Sequence, residues 1–305
     1  VVERADLVAR LERLGFDTSD LAKAIASFQA SRGMPESGHM DSLTWRALVE
    51  AGFRPGDRVL YLRRPYFRGE DVAWLQAQLG ALGFDPGRVD GIFAERTDQA
   101  LREFQANLAL PADGIVGAST IEELRRVSSR GVGHVHGVRE LERLRSQHKL
   151  LADASVAVLG PLELEPQVEL LAQRLRQRSA RVVSLTSPDQ SHLAHVANAA
   201  AVELAAYLDF SGSGAQVAYY SGFRYTSPAG KLLAQMVASA IADLAVPAQV
   251  SERGMTLPIL RETRMPAVMI GLEQARSWLA LGAEVADAVV RAMELFSLDP
   301  LASVR

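Results

Sequence analysis

Cysteine is absent from this chain, which removes disulfides, thiolate metal sites and cysteine nucleophiles together and leaves His, Asp and Glu as the strong candidate ligands. Charge of one sign is also lacking: 33 Lys and Arg stand against 36 Asp and Glu, a formal net charge of -3. No global field therefore recruits nucleic acid or an anionic membrane surface, and any partner must be recognised locally. No stretch approaches the ~20 consecutive apolar residues of a membrane-spanning helix, so no membrane span is expected. Val1 opens no basic-then-apolar signal pattern, and the expectation is a cytoplasmic protein.

The chain has 305 residues, 48% of them hydrophobic, enough for two or three cores. Its first half is doubled. Leu11-Glu12-Arg13-Leu14-Gly15-Phe16 resembles Leu79-Gly80-Ala81-Leu82-Gly83-Phe84, and Ala26-Ser27-Phe28-Gln29-Ala30 matches Arg102-Glu103-Phe104-Gln105-Ala106. Ser42-Leu43-Thr44 with Leu48 then matches Ala118-Ser119-Thr120 with Leu124. In the second copy Val72, Leu75, Leu79 and Leu82 form a helical stripe that Gly83 ends. Asp90-Gly91 makes a turn, Thr97 to Phe104 resumes the helical period, Asp113-Gly114 turns again, and Ser119 or Thr120 can cap a third helix. The first copy lacks the first Asp-Gly turn and has Glu36-Ser37-Gly38-His39 in place of the second.

Between the copies, residues 54–68 carry turn residues, a short extended Val59-Leu60-Tyr61-Leu62 run and Arg63-Arg64-Pro65-Tyr66. This basic-aromatic stretch reads as a packed connector with solvated arginines or as a contact for an anionic sugar-peptide or phosphate. After the second copy comes a Gly/Ser-rich linker with His134 and His136, which lack a third ligand nearby, and a charged helical stretch from Val138 to about Lys149.

From Ser155 the texture becomes alternating strand and helix. Strands are expected at 156–159, 181–185, 207–210, 216–220 and 267–271; helices at 167–179, 192–206, 229–244 and 283–296. The sheet is expected to be mixed, with helices on both faces.

Leu75-Gln76, Leu82-Gly83-Phe84, Asp90-Gly91-Ile92-Phe93, Thr97, Phe104-Gln105 and Asp113-Gly114-Ile115-Val116-Gly117 resemble the peptidoglycan-binding repeat family. Further on, Ala172-Gln173-Arg174-Leu175, Ala197-Asn198-Ala199 and Leu260-Arg261-Glu262-Thr263-Arg264-Met265-Pro266 resemble the zinc-dependent N-acetylmuramoyl-L-alanine amidases. Together they cover nearly the whole chain and are most similar to an actinobacterial group of amidase homologues that regulate peptidoglycan precursor synthesis. The fold this implies is multidomain: two small three-helix peptidoglycan-binding-like bundles, then an α/β domain with a mixed sheet flanked by helices. The expected boundaries are a degenerate repeat at 1–53, a connector at 54–70, a second repeat at 71–128, a linker and helix at 129–150, and an amidase-like domain at 151–305.

In that amidase family a zinc held by His, Glu and His polarises the amide carbonyl and a water, and a Glu at the end of the last strand handles the proton. Carried onto this chain, the three ligand positions become Leu162, Leu164 and Gly212, and the proton-transfer Glu becomes Gly271. Only Glu163 or Glu165, by a one-residue slip, could replace a ligand. The resemblance thus implies a pseudoenzyme without zinc that regulates or scaffolds cell-wall biogenesis, binding a peptidoglycan fragment or precursor and a protein partner. Two rival readings are an active zinc amidase using Glu163, His192 or His195, and a peptidoglycan-anchoring module. Ligand-contact candidates are Asp90, Phe93 and Asp113 in the second repeat, and Tyr219, Tyr220, Arg224 and Tyr225 beside the old cleft, where adjacent tyrosines must face opposite sides of a strand. The Ser211-Gly212-Ser213-Gly214 loop is a weak phosphate cradle, because a strand rather than a helix follows it.

Overall fold

The computed structural model describes residues 4–128, 150–178, 180–211, 214–222, 225–244 and 250–298. The expected helix at 138–149, and His134 and His136, lie outside these described residues. Two compact units result, one built from the helical first half and one from the alternating second half.

The first unit contains α1 (Arg4–Arg13), α2 (Leu21–Ser31), α3 (Ser42–Ala51), α4 (Glu70–Ala81), α5 (Glu95–Asn107) and α6 (Ala118–Ser128). Asp20 and Asp41 cap α2 and α3 by accepting the Lys23 and Thr44 amides. Ser119 and Thr120 fall inside α6 instead of capping it; the Thr120 hydroxyl donates back to the Ile115 carbonyl at 3.2 Å. Leu7, Leu11, Ile25, Phe28 and Leu48 form one apolar cluster, and Val72, Leu75, Leu79, Phe93, Leu101, Phe104 and Leu124 another.

A buried glutamine sets each long turn. Gln105 accepts the Gly114 amide on Oε1 at 2.9 Å, and its Nε2 donates to Asp113 Oδ1 and the Ile115 carbonyl. Gln76 does the same for the Asp90-Gly91-Ile92 turn, with Nε2 also reaching Thr97 Oγ1 at 3.1 Å. Gln29 repeats the pattern in the first copy with Gly38, Ser37, the His39 carbonyl and Thr44. All three glycines have positive φ, so each supplies an amide direction that other residues reach only with strain. The Ser-Gly turn of the first copy is therefore the Asp-Gly turn with serine in the acceptor position.

In the second unit the strands are β1 (Ser155–Gly160), β2 (Arg181–Thr186), β3 (Leu204–Phe210), β4 (Ala215–Tyr220), β5 (Val250–Met255) and β6 (Ala267–Leu272). The helices are α7 (Glu165–Arg176), α8 (Gln190–Ala199), α9 (Pro228–Ala242), α10 (Pro258–Glu262) and α11 (Ala275–Leu298). Strand order is β2-β1-β3-β6-β4-β5; β4 runs antiparallel to β6 and the other pairs are parallel, giving the mixed sheet. One face packs Val156, Val158, Leu208, Ile270 and Val217 against α7, α9 and α11; α8 and α10 cover the other.

Three expectations fail here for physical reasons. The helix expected to reach Ala206 stops at Ala199: Ala201 turns with φ 49, and Leu204 to Ala206 pair with β1, so strand pairing overrides alanine's helix propensity. The last helix starts at Ala275 rather than Ala283: Gly282, a residue of low helix propensity, sits within it, and a Cβ there would meet the Gln167 side chain at 3.7 Å. β5 and α10 were not foreseen; β5 is a polar edge strand whose Ser251, Glu252 and Arg253 are exposed, and such edges show no apolar alternation.

Candidate functional site

β1, β2, β3 and β6 end along one edge of the sheet, the place where open α/β sheets gather functional groups. Gly160 closes β1, and the chain turns through a short 3-10 segment, Leu162–Leu164, into α7. Leu162 is 55% exposed, whereas Leu164 is 1% exposed and packs into the core. Gly271 pairs with Asp209 across β3 and β6. A side chain at 271 would begin 3.2 Å from both Cβ and the amide nitrogen of Ser211, tighter than ordinary packing. Gly212 lies outside the described residues.

The polar groups that do converge here are Tyr207, Asp209, Gln190 and Glu163. Gln190 Nε2 donates to the Tyr207 hydroxyl at 3.4 Å. Burial pushes the Tyr207 phenol up, and the Asp209 charge adds to this. Burial also raises Asp209, opposed by the Phe210 amide at 2.8 Å and by the Tyr207 hydroxyl, while the Glu163 charge raises it further. Trp278 Nε1 fixes the Asp209 carbonyl at 3.0 Å. These two strand residues escaped the sequence reading; polar side chains two apart within an otherwise apolar parallel strand were the available signal.

A raised carboxyl holds its proton more tightly in the folded chain than in the unfolded one. Its contribution is fully present below the unfolded carboxyl range, about pH 4, and is lost as pH rises through the raised folded value. Asp209→Asn is therefore expected to raise the thermal midpoint more near neutrality than near about pH 4; an equal change at both would remove this role for burial.

The family's zinc requires imidazole and carboxylate donors in one cluster. Among the described residues no three His, Asp or Glu side chains gather closely enough to hold a metal. The strand-end donors are Asp209 and Glu163, both carboxyls, with leucine and glycine at the described transferred positions. This donor set does not fit a His-Glu-His zinc. His192 and His195 are exposed on α8, whose cap is Asp189: its Oδ1 accepts the Ser191 and His192 amides at 2.9 and 3.2 Å. The Ser191 hydroxyl donates to Glu262 Oε1 at 3.2 Å. Asn198 spans the same junction, donating to the Glu262 carbonyl and accepting the Arg264 amide, both at 2.8 Å.

Tyr220 is 4% exposed and belongs to the core, which removes it as a ligand contact. Tyr219 faces the opposite way and is half-buried, its phenol raised by burial and by Glu252. Tyr225 is half-buried, and Arg224 lies outside the described residues. The Ser211 hydroxyl closes its loop onto the Gly214 carbonyl at 2.5 Å, and β4 follows.

In the second repeat Phe93 is fully buried in the apolar cluster, so it shapes the fold and cannot touch a glycan. Asp90 Oδ1 and Asp113 Oδ1 are each engaged by a glutamine and by the amide two residues on. The backbone bond to Ile115 holds the Asp113 carboxyl below its ordinary range.

Residues 68–124 match the family described as "Putative peptidoglycan binding domain". The chain is 31% identical to N-acetylmuramoyl-L-alanine amidase CwlM of Mycobacterium tuberculosis, over 83% of this chain and 71% of that protein. A shorter match, 50% identical over 18% of this chain, is to the spore cortex-lytic enzyme of Bacillus cereus and spans 22% of that enzyme. Among solved structures, the amidase Ami1 from Mycobacterium smegmatis superposes with a TM-score of 0.41 at 14% identity, over 49% of this chain and 99% of that one. With identity to a curated amidase extending over most of both chains, and a peptidoglycan-binding domain in the helical unit, the protein belongs to the N-acetylmuramoyl-L-alanine amidase family.

Proposed function

We propose that this chain is a non-catalytic member of the amidase family that works by binding, as a regulator or scaffold in cell-wall biogenesis. The observation that carries the reading is the donor set at the strand ends: leucine at 162 and 164 and glycine at 271, where the family resemblance asks for ligands and a proton-transfer Glu. An intact structural zinc site in a small peptide contributes about 10–16 kcal/mol, and two carboxylates without an imidazole retain only a part of that. The missing proton-transfer group is a separate loss, typically about 100- to 10,000-fold in rate.

On this reading the helical unit contacts a peptidoglycan fragment or precursor, the α/β unit engages a protein of cell-wall synthesis, the chain works in the cytoplasm, and neither unit needs a cofactor. The test is hydrolysis of a muramoyl-peptide by the full chain with equimolar zinc. The expected result is no peptide release above the uncatalysed background. Release that disappears with His192→Ala or Glu163→Gln would instead establish an amidase with displaced ligands.

A further inference from the structure

The connector between the repeats ends in an ordered cationic surface that the strand-end site does not use. Arg58 lies between two rings, 3.6 Å from the Phe53 centroid and 5.0 Å from that of Phe67, and is held in plane by Asp71 at 2.7 and 3.0 Å and by the Arg68 carbonyl. Arg63 stacks on Phe67 at 4.0 Å, and Tyr61 meets that ring edge-on at 5.5 Å. The order Phe53, Arg58, Phe67, Arg63 is an alternating ladder whose outermost rung is a guanidinium. Arg64 is paired with Glu95 at 3.2 Å, but Arg63 has no carboxylate partner among the described residues. Stacking has already restricted its side chain, so little further entropy is lost when its N–H edge meets an anion.

Beside it runs a short open edge. Leu60 is buried and its carbonyl accepts the Val116 amide at 2.8 Å, forming an antiparallel bridge. In such a bridge the neighbours on either side point their backbone groups away from the partner. Val59 and Tyr61 do so, and their N–H and C=O groups have no partner among the described residues. Their side chains are 53% and 43% exposed, with Ile115 at 42% across the bridge.

We infer that the Val59–Arg63 edge is a docking site for an extended, acidic peptide segment of a partner protein, which adds alongside residues 59–61 and places a carboxylate on Arg63. The charge of Arg63 selects the sign of the partner. The open backbone selects its class, since an inorganic anion, a glycan or a lipid headgroup satisfies the guanidinium but cannot pair with the alternating N–H and C=O groups of 59 and 61. Tyr, Arg and aliphatic side chains in one patch also match the make-up of protein interfaces. The inference is independent of whether the strand-end site is catalytic.

The test is titration of the full chain, labelled for amide NMR, with a short synthetic peptide of alternating valine and glutamate. Parallel titrations use its lysine counterpart, inorganic phosphate and phosphatidylglycerol vesicles. The expected result is amide shifts confined to residues 59–63 and 115–116 with the glutamate peptide and weaker ones with lysine. Arg63→Glu weakens the glutamate peptide by roughly tenfold and favours the lysine one, while Arg63→Gln lowers the salt dependence of binding. Because Arg63 is exposed and gives up only its stacking on Phe67, both variants stay folded, with thermal midpoints within about 5 °C of the parent. Equal binding of the two peptides, shifts elsewhere, or the same shifts with phosphate or vesicles in place of peptide would overturn the proposal.

Discussion

Gln105→Leu lowers the stability of the second repeat by about 3–5 kcal/mol, although leucine fills nearly the same space. Gln105 is 2% exposed and makes its bonds to Gly114, Asp113 and Ile115 inside the unit. Leucine leaves the buried Gly114 amide without an acceptor, which costs about 1–3 kcal/mol, and removes two further bonds worth about 1 kcal/mol each. In a unit of this size that moves the thermal midpoint down by more than about 10 °C. Gln99→Leu is the control: Gln99 is exposed and, among the described residues, its side chain bonds only Glu103, so its change stays within about 0.5 kcal/mol. Circular dichroism melts of both variants decide the matter; equal midpoints would show that the glutamine does not hold the turn.

Arg58→Met is expected to destabilise the same unit by about 3–5 kcal/mol, because it strands a buried carboxylate. Asp71 is 1% exposed and both its oxygens are bound by Arg58. Methionine preserves much of the packing between Phe53 and Phe67, so the loss reports mainly the unpaired charge. Adding Asp71→Leu removes that charge and should recover most of the stability, since replacing a buried pair on both sides is often neutral. A double variant no more stable than Arg58→Met alone would assign the loss to the stacked rings instead.

The first effect arises from residues whose pattern was legible while their work was not; the Arg58–Asp71 pair carried no pattern in the sequence. Leu75-Gln76 and Phe104-Gln105 stood out as matching dipeptides, and the Asp-Gly turns as turns. That each glutamine reaches across to a turn nine or fifteen residues later depends on packing that spacing alone does not reveal. The α/β alternation was readable because β1 and β6 are apolar throughout and their helices amphipathic. It failed where tertiary pairing outweighed local propensity, at Leu204 to Ala206, and where an edge strand is polar, at Ser251 to Arg253.

At the candidate site, the positions transferred from the family fall just after β1, at Leu162, and near the end of β6, at Gly271, because the order of elements fixes them. What occupies the space, Tyr207 and Asp209, required the register of β3 against β6. Burial places two aromatic contact candidates in the core instead: Phe93 of the repeat motif and Tyr220 beside the expected cleft.

Metal analysis of the purified full chain, dialysed against zinc and then against buffer, decides whether the strand ends hold zinc. The expected stoichiometry is well below one zinc per chain and unchanged by His192→Ala or Glu163→Gln. About one zinc per chain, lost in either variant, would mean that displaced ligands hold a catalytic metal.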